Sequence, residues 1–157
     1  MNKFILLFFS LIILSFTTYA QKQFAYLVEC VSVENSGSIT IKIWNTKKGK
    51  RYSQIQARKD AIDAILYSGV PGKNGCIAQK PLLSAQKSID AFRKVENDFF
   101  SKKGVWSKYT REANMANVVI QQTGNKKWKV YEVSISKDLL RKYLEEQKII
   151  KSLNNGF

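Results

Sequence analysis

Two groups of side chains in this sequence have the types and spacing to hold a ligand, and both set an indole among cations. Trp44 is followed closely by Lys47, Lys48, Lys50 and Arg51, while Trp128 lies among Lys126, Lys127 and Lys129. Cations at such spacing suit phosphate, sulfate or carboxylate, and an exposed indole offers a flat face against which a base or a sugar ring stacks. If both turns lie at one end of a sheet, they make a single cationic, aromatic surface. If they lie apart, each is an ordinary solvated turn.

Other chemistry is narrowed by what the chain lacks. It contains no histidine, which removes the commonest general base and zinc ligand, and with them the Ser-His-Asp and Cys-His nucleophile arrangements. Three carboxylate pairs remain: Asp60 with Asp63, Glu96 with Asp98, and Glu145 with Glu146. Asp60 and Asp63 fall one turn apart on a helix that is basic around them, and the other pairs read as solvated faces. No two carboxyl groups can be set across a cleft from sequence, so catalytic residues, a metal site and a cofactor are not expected. Cys30 and Cys76 are the two cysteines. In an exported chain they are expected to form a disulfide, the alternative being free, buried thiols; no C-x-x-C suggests a redox pair.

Export is read from the first twenty residues. A lone Lys3, a long apolar run and the small-residue ending Thr18-Tyr19-Ala20 are the layout of a signal peptide cut after Ala20. The alternative is an uncleaved anchor, since the apolar run with its flanks is almost long enough to span a bilayer. Cleavage takes Lys3 from the 26 basic residues and leaves 25 against 12 acidic ones, a formal charge of +13. Residues 21–157 fit one domain, with no stable transmembrane segment once the leader is gone. The charge favours anionic partners, although lysine-rich hairpins also keep an exported protein soluble.

The elements that must position these residues follow from periodicity. Residues 24–33 read as a strand with both faces covered, and 38–45 as its hairpin partner, with Ile39, Ile41 and Ile43 on one face and Thr40, Lys42 and Trp44 on the other. A helix is expected over 53–68: Ser53 and Gln56 form a capping box, and Ala57, Ala61, Ala64 and Ser68 make a narrow stripe suited to close packing. Arg58, Lys59 and Asp63 are assigned to water. Gly69 and Pro71 end that helix, and the loop at 70–83 is read as structural.

A second helix is expected over 84–103, with Ser84 as its cap and Phe92 and Phe99 in the core. A strand at 105–111 follows, then a second hairpin from 116–122 and 128–135. A last helix runs over 137–153, capped by Ser136, with Leu140, Tyr143, Leu144 and Gln147 facing inward and a frayed tail at 154–157. The fold class is α+β: a small antiparallel sheet of two hairpins with two or three helices packed on one face.

The order A-R-K-D-A-I-D-A-I at 57–65, a long interval, then W-K-V-Y-E-V-S-I-S-K-D-L-L at 128–140 resembles the small bacterial surface-lipoprotein family that also includes the N-terminal domain of a flagellar basal-body ring protein. The resemblance implies an alanine-rich helix on a small antiparallel sheet whose final strand runs into a helix. It also implies an envelope protein that assembles or binds, with no catalytic residues to carry over. The chain departs from the pattern in lacking a lipid-attachment cysteine and in its long insertion at 69–104.

Three functional expectations result, the last being an unrecognised hydrolase using acidic residues, which requires a concave pocket with facing carboxylates around Asp60, Asp63, Glu96 and Asp98. The first is a non-enzymatic exported protein, in the periplasm or outside the cell and peripheral to the outer membrane, that contacts another envelope protein. The second is a binder of an anionic polymer such as nucleic acid, lipopolysaccharide or acidic glycan through the two basic, indole-bearing turns. The relative position of those turns separates the first two.

Overall fold

The computed structural model describes residues 24–73, 75–112, 119–123 and 126–152; the leader at 1–20, the stretch at 113–118 and the tail at 154–157 lie outside these residues. Strands β1 (Leu27–Val33) and β2 (Ser38–Trp44) form the first hairpin, turning at Gly37, whose φ of 76° suits glycine. A 3-10 turn at Gly49–Arg51 leads into α1 (Gln54–Asp63), whose end widens into a π turn at Ala64–Ser68. Two short helices follow, α2 (Gln86–Arg93) and α3 (Glu96–Phe99), then a 3-10 turn at Val105–Tyr109. Strands β3 (Thr110–Glu112), β4 (Val119–Thr123) and β5 (Lys126–Ser136) come next, and β5 runs without a break into α4 (Lys137–Glu146).

The molecule is α+β with one small antiparallel sheet, and β5 is its axis. One edge of β5 pairs with β2, and the other pairs first with β4 and then with β3. The sheet is therefore four lanes wide, its outer lane shared by β3 and β4. Helix α1 lies across β2 and β5. Its Ala57, Ala61 and Ala64 are fully buried, as are Ile41, Ile43, Val133 and Ile135 of the sheet. A stripe of methyl groups lets the helix axis approach the strands closely, and each buried isoleucine beneath it contributes about 2 kcal/mol. Among the described residues no helix is long and apolar enough to cross a membrane.

The disulfide between Cys30 and Cys76 is formed. It ties the loop after α1 to β1 across 46 residues, which disfavours the unfolded chain by about 4 kcal/mol in the loop-entropy picture. The same loop closes over the end of α1, where the Leu82 and Leu83 amides donate to the carbonyls of Ile65 and Leu66.

Several local expectations are corrected. Strand β1 is an edge strand, not one covered on both faces: Leu27, Val31 and Val33 are exposed, and the register shifts between Cys30 and Ser32. Ser53 does cap α1, accepting from the Gln56 amide at 3.3 Å, but the Gln56 side chain donates forward to Asp60 instead of back to Ser53. Ser68 leaves the alanine stripe and is exposed, because the π turn adds a residue to the last turn and rotates it outward. Arg58 does not face open water: its guanidinium donates to Thr110 and Ser107 and lies 5.2 Å from the Trp106 ring centre.

The long second helix is broken at Lys94 and Val95, and its cap position is Ala85, which has no side chain to cap with. Phe92, Phe99 and Phe100 gather there edge to face, and the break lets both arms turn their rings toward one another. Most of the expected strand at 105–111 is the 3-10 turn, held where the Trp106 indole N–H donates to the Ser101 carbonyl; only Thr110 and Arg111 of it enter the sheet. The last helix ends at Glu146, with Lys148 at φ 56° and the Ile149 amide donating back to Leu144. Ser136 makes no side-chain cap bond, and Gln147 is exposed.

Candidate functional site

The antiparallel register places the two expected clusters at the same end of the sheet. Trp44, the last residue of β2, is the Cα partner of Val130, and Trp128 lies two residues before Val130 on β5. Side chains alternate along a strand, so Trp44, Val130 and Trp128 share one face, the face opposite α1. Both indoles are half-buried and Val130 is 2 % exposed. Lys47, Lys48, Lys50 and Arg51 follow β2 at this end, and Lys126, Lys127 and Lys129 open β5 there.

The two faces are not equivalent. Lys129 alternates onto the helix-covered face, away from Trp128, and the turn Gly49–Arg51 packs against β5 on that same side. Tyr131 marks the junction, since its hydroxyl donates to the Tyr52 carbonyl at 2.9 Å. Lys126 and Lys127 are placed by backbone register alone. Lys47, Lys50 and Arg51 are exposed and enter no ion pair among the described residues. The end of the sheet is thus an open cationic rim with an indole pair on one flank.

On the helix side, and sharing Lys48 with that rim, lies a cleft of about 380 Å³. Its floor is a second stripe of α1, Gln56, Asp60 and Asp63, a quarter turn round from the alanines. Phe24, Tyr26, Asn45, Lys48, Lys59, Glu96 and Phe100 line the rest of it. The assignment of Asp63 to water and of Glu96 to a solvated face is corrected: both line this cleft with Asp60, and Asp63 is only 9 % exposed. Asp98 lies apart, in a smaller hollow beside Lys103 and Tyr143, and Glu145 lies 3.5 Å from Arg141.

Neutral donors hold the cleft's carboxylates. Tyr26 donates to Asp63 at 2.7 Å, Tyr52 donates to Asp60 at 2.9 Å, and Gln56 donates to the other oxygen of Asp60 at 2.6 Å. Burial pushes the Tyr26 and Tyr52 phenols far above their ordinary range, and the adjoining aspartates add to it, so both remain donors. Burial also raises the Asp60 carboxyl, with a smaller push from Asp63, against the opposing bonds from Gln56 and Tyr52 and the charge of Lys48. Lys59 also lines the cleft, where it is not free in water: its ammonium donates to the Phe100 carbonyl and lies over the Trp106 ring. Among the described residues no group of three acidic, histidine or cysteine side chains is arranged to hold a metal ion.

The cleft was hidden in the sequence because its walls come from segments far apart. The signal that could have revealed it is the polar stripe at 56, 60 and 63 beside the alanine one. Comparison of the chain with protein-family models, curated proteins and solved structures returns no match.

Proposed function

We propose that this is an exported, non-catalytic binding protein that holds an anionic polymer, such as nucleic acid, lipopolysaccharide or acidic glycan, across the basic end of its sheet. The observation that carries the reading is the pairing of Trp44 with Val130, which sets both lysine-bearing turns at one end and both indoles on one face. A polymer crossing that end meets cations from two turns at spacings a backbone of charges can follow, with an aromatic flank for its rings. The resemblance to an envelope family supports an envelope setting, where such polymers are abundant.

Binding of polyphosphate, single-stranded DNA and lipopolysaccharide, followed by fluorescence anisotropy over a salt series, tests this. With about four contacts, affinity should fall roughly a hundredfold between about 50 and 200 mM salt. Replacing Lys47, Lys50 and Arg51 with alanine should lower the slope of log affinity against log salt by about three. Flat salt dependence would remove the reading, and release of shortened polymer would overturn its non-catalytic part.

A further inference from the structure

The sheet face away from α1 is not uniform from end to end. At the basic end the register lines up Leu27 of β1, Trp44 of β2 and Val130 of β5 as one row across three strands, with Trp128 a step further out on β5. Neighbouring strands lie about 4.8 Å apart, so the row runs for roughly 10 Å. The next row inward is Glu29, Lys42 and Glu132, and beyond it come the hydroxyl groups of Ser32, Thr40 and Ser134. Apolar row and cationic rim thus share one end.

That row is open. Leu27 is 53 % exposed and both indoles are half-buried, while Lys47, Lys50 and Arg51 stand at the same end with no ion pair among the described residues. The acids of the next row do not set a bare negative charge against an anion, since Glu29 lies 2.8 Å from Lys73 and Glu132 lies 3.6 Å from Lys42. The exposed leucine decides between anionic partners. A phosphate backbone or a sugar chain meets the cations and can stack its rings on the indoles, but an aliphatic side chain in the same row has little to gain from either. A lipid leaflet uses all three groups: headgroup phosphates meet lysine and arginine, indoles rest at the headgroup level, and leucine reaches the acyl boundary.

The course of the chain points the same way. Leu27 opens β1 opposite Trp44, so the chain enters the sheet at the basic end, and the apolar run that reads as a leader precedes it. Four Cα steps separate Ala20 from Phe24, a reach of at most about 14 Å, and Phe24 lies on the cleft that also takes Lys48. A bilayer that receives the leader during export is therefore held close to the rim.

We infer that this end of the sheet docks on the surface of an anionic lipid leaflet, with Leu27, Trp44 and Trp128 entering the headgroup layer and Lys47, Lys50 and Arg51 lying against its phosphates. This rests on the rim reading, whose anionic partner it narrows to one presented by a lipid surface. The contact is peripheral, and the sheet meets the leaflet at a slant because cations and indoles occupy an end and its flank.

The test uses the exported protein with its leader removed. Co-sedimentation measures binding to vesicles of phosphatidylglycerol with phosphatidylcholine and to vesicles of phosphatidylcholine alone, and anisotropy measures binding to polyphosphate and single-stranded DNA as lipid-free anions. Neutral vesicles should bind about a hundredfold more weakly than anionic ones, at roughly a factor of five per cation. Lipids brominated near the headgroup end of the acyl chain should quench the tryptophan emission of the bound protein. Leu27→Ser, at an exposed position, should weaken binding to anionic vesicles about fivefold, the share of a half-exposed leucine, and leave polyphosphate within about twofold. Replacing Lys47, Lys50 and Arg51 with alanine should weaken both. Binding of the lipid-free anions without binding of vesicles, or vesicle binding with neither quenching nor an effect of Leu27→Ser, overturns the leaflet inference and leaves the rim standing. Equal binding of anionic and neutral vesicles, with no binding of polyphosphate and no effect of the alanine variant, overturns the rim reading itself.

Discussion

Helix α1 carries two faces that were made by different physics. On one, Ala57, Ala61 and Ala64 are sealed against β2 and β5, and size alone decides the fit. On the other, Gln56, Asp60 and Asp63 floor a cleft, and each carboxylate keeps its place through a donor such as Tyr26, which lies 37 residues away in the chain. A packed face tolerates no added volume, whereas a polar face tolerates no lost partner. The contrast teaches that the stability of this helix and the chemistry available beside it are set by separate residues a quarter turn apart, and so can be perturbed separately.

The largest way to break that contrast is to overfill the dry face. Ala61→Leu adds three carbons where the backbone of α1 meets the sheet, and should lower unfolding free energy by about 3 kcal/mol, read from the urea midpoint. A loss below 1 kcal/mol would mean that the helix stands off from the strands. A smaller effect is expected from Tyr26→Phe, which removes the donor to buried Asp63 and changes volume by one oxygen. About 2 kcal/mol should be lost in the same assay, and a cost matching that of Ala61→Leu would erase the distinction between the faces.

The smallest effect sharpens the comparison through pH. Burial raises the Asp60 carboxyl above its ordinary value of 3.8, so the folded state keeps a proton that the unfolded chain has already released. The stability Asp60 contributes is then complete below 3.8 and declines as pH climbs through the raised folded value. Asp60→Asn should flatten that decline, so the difference in unfolding free energy moves in the variant's favour as pH rises through this window. A series of urea midpoints across acidic pH measures it, and a difference moving the other way would show that the bonds from Gln56 and Tyr52, not burial, govern the group.

The same division explains how much was legible beforehand. The alanine stripe, the isoleucine alternation of β2 and the strand-to-helix passage at Ser136 each show their period within a dozen residues, and the structure bears out the α+β class built from them. The cysteine pair was legible as well, because two thiols in a chain read as exported leave few alternatives. The break at Lys94, the π turn after Asp63 and the 3-10 turn around Trp106 were not. Each is a local geometry chosen by a distant partner, such as the cluster of Phe92, Phe99 and Phe100 or the carbonyl of Ser101.

The sequence by itself determined the dry half of this protein: which residues avoid water, at what period, and therefore which elements form and how they layer. Hydrophobic burial is non-directional and nearly additive along the chain, so a one-dimensional pattern carries it. Only the tertiary structure decided that Trp44 and Trp128 share a face, that the basic turns share an end, and that Asn45, Asp60 and Glu96 line one cleft. Those facts depend on strand register and on hydrogen bonds between segments tens of residues apart, where a shift of one residue would turn every side chain to the other face.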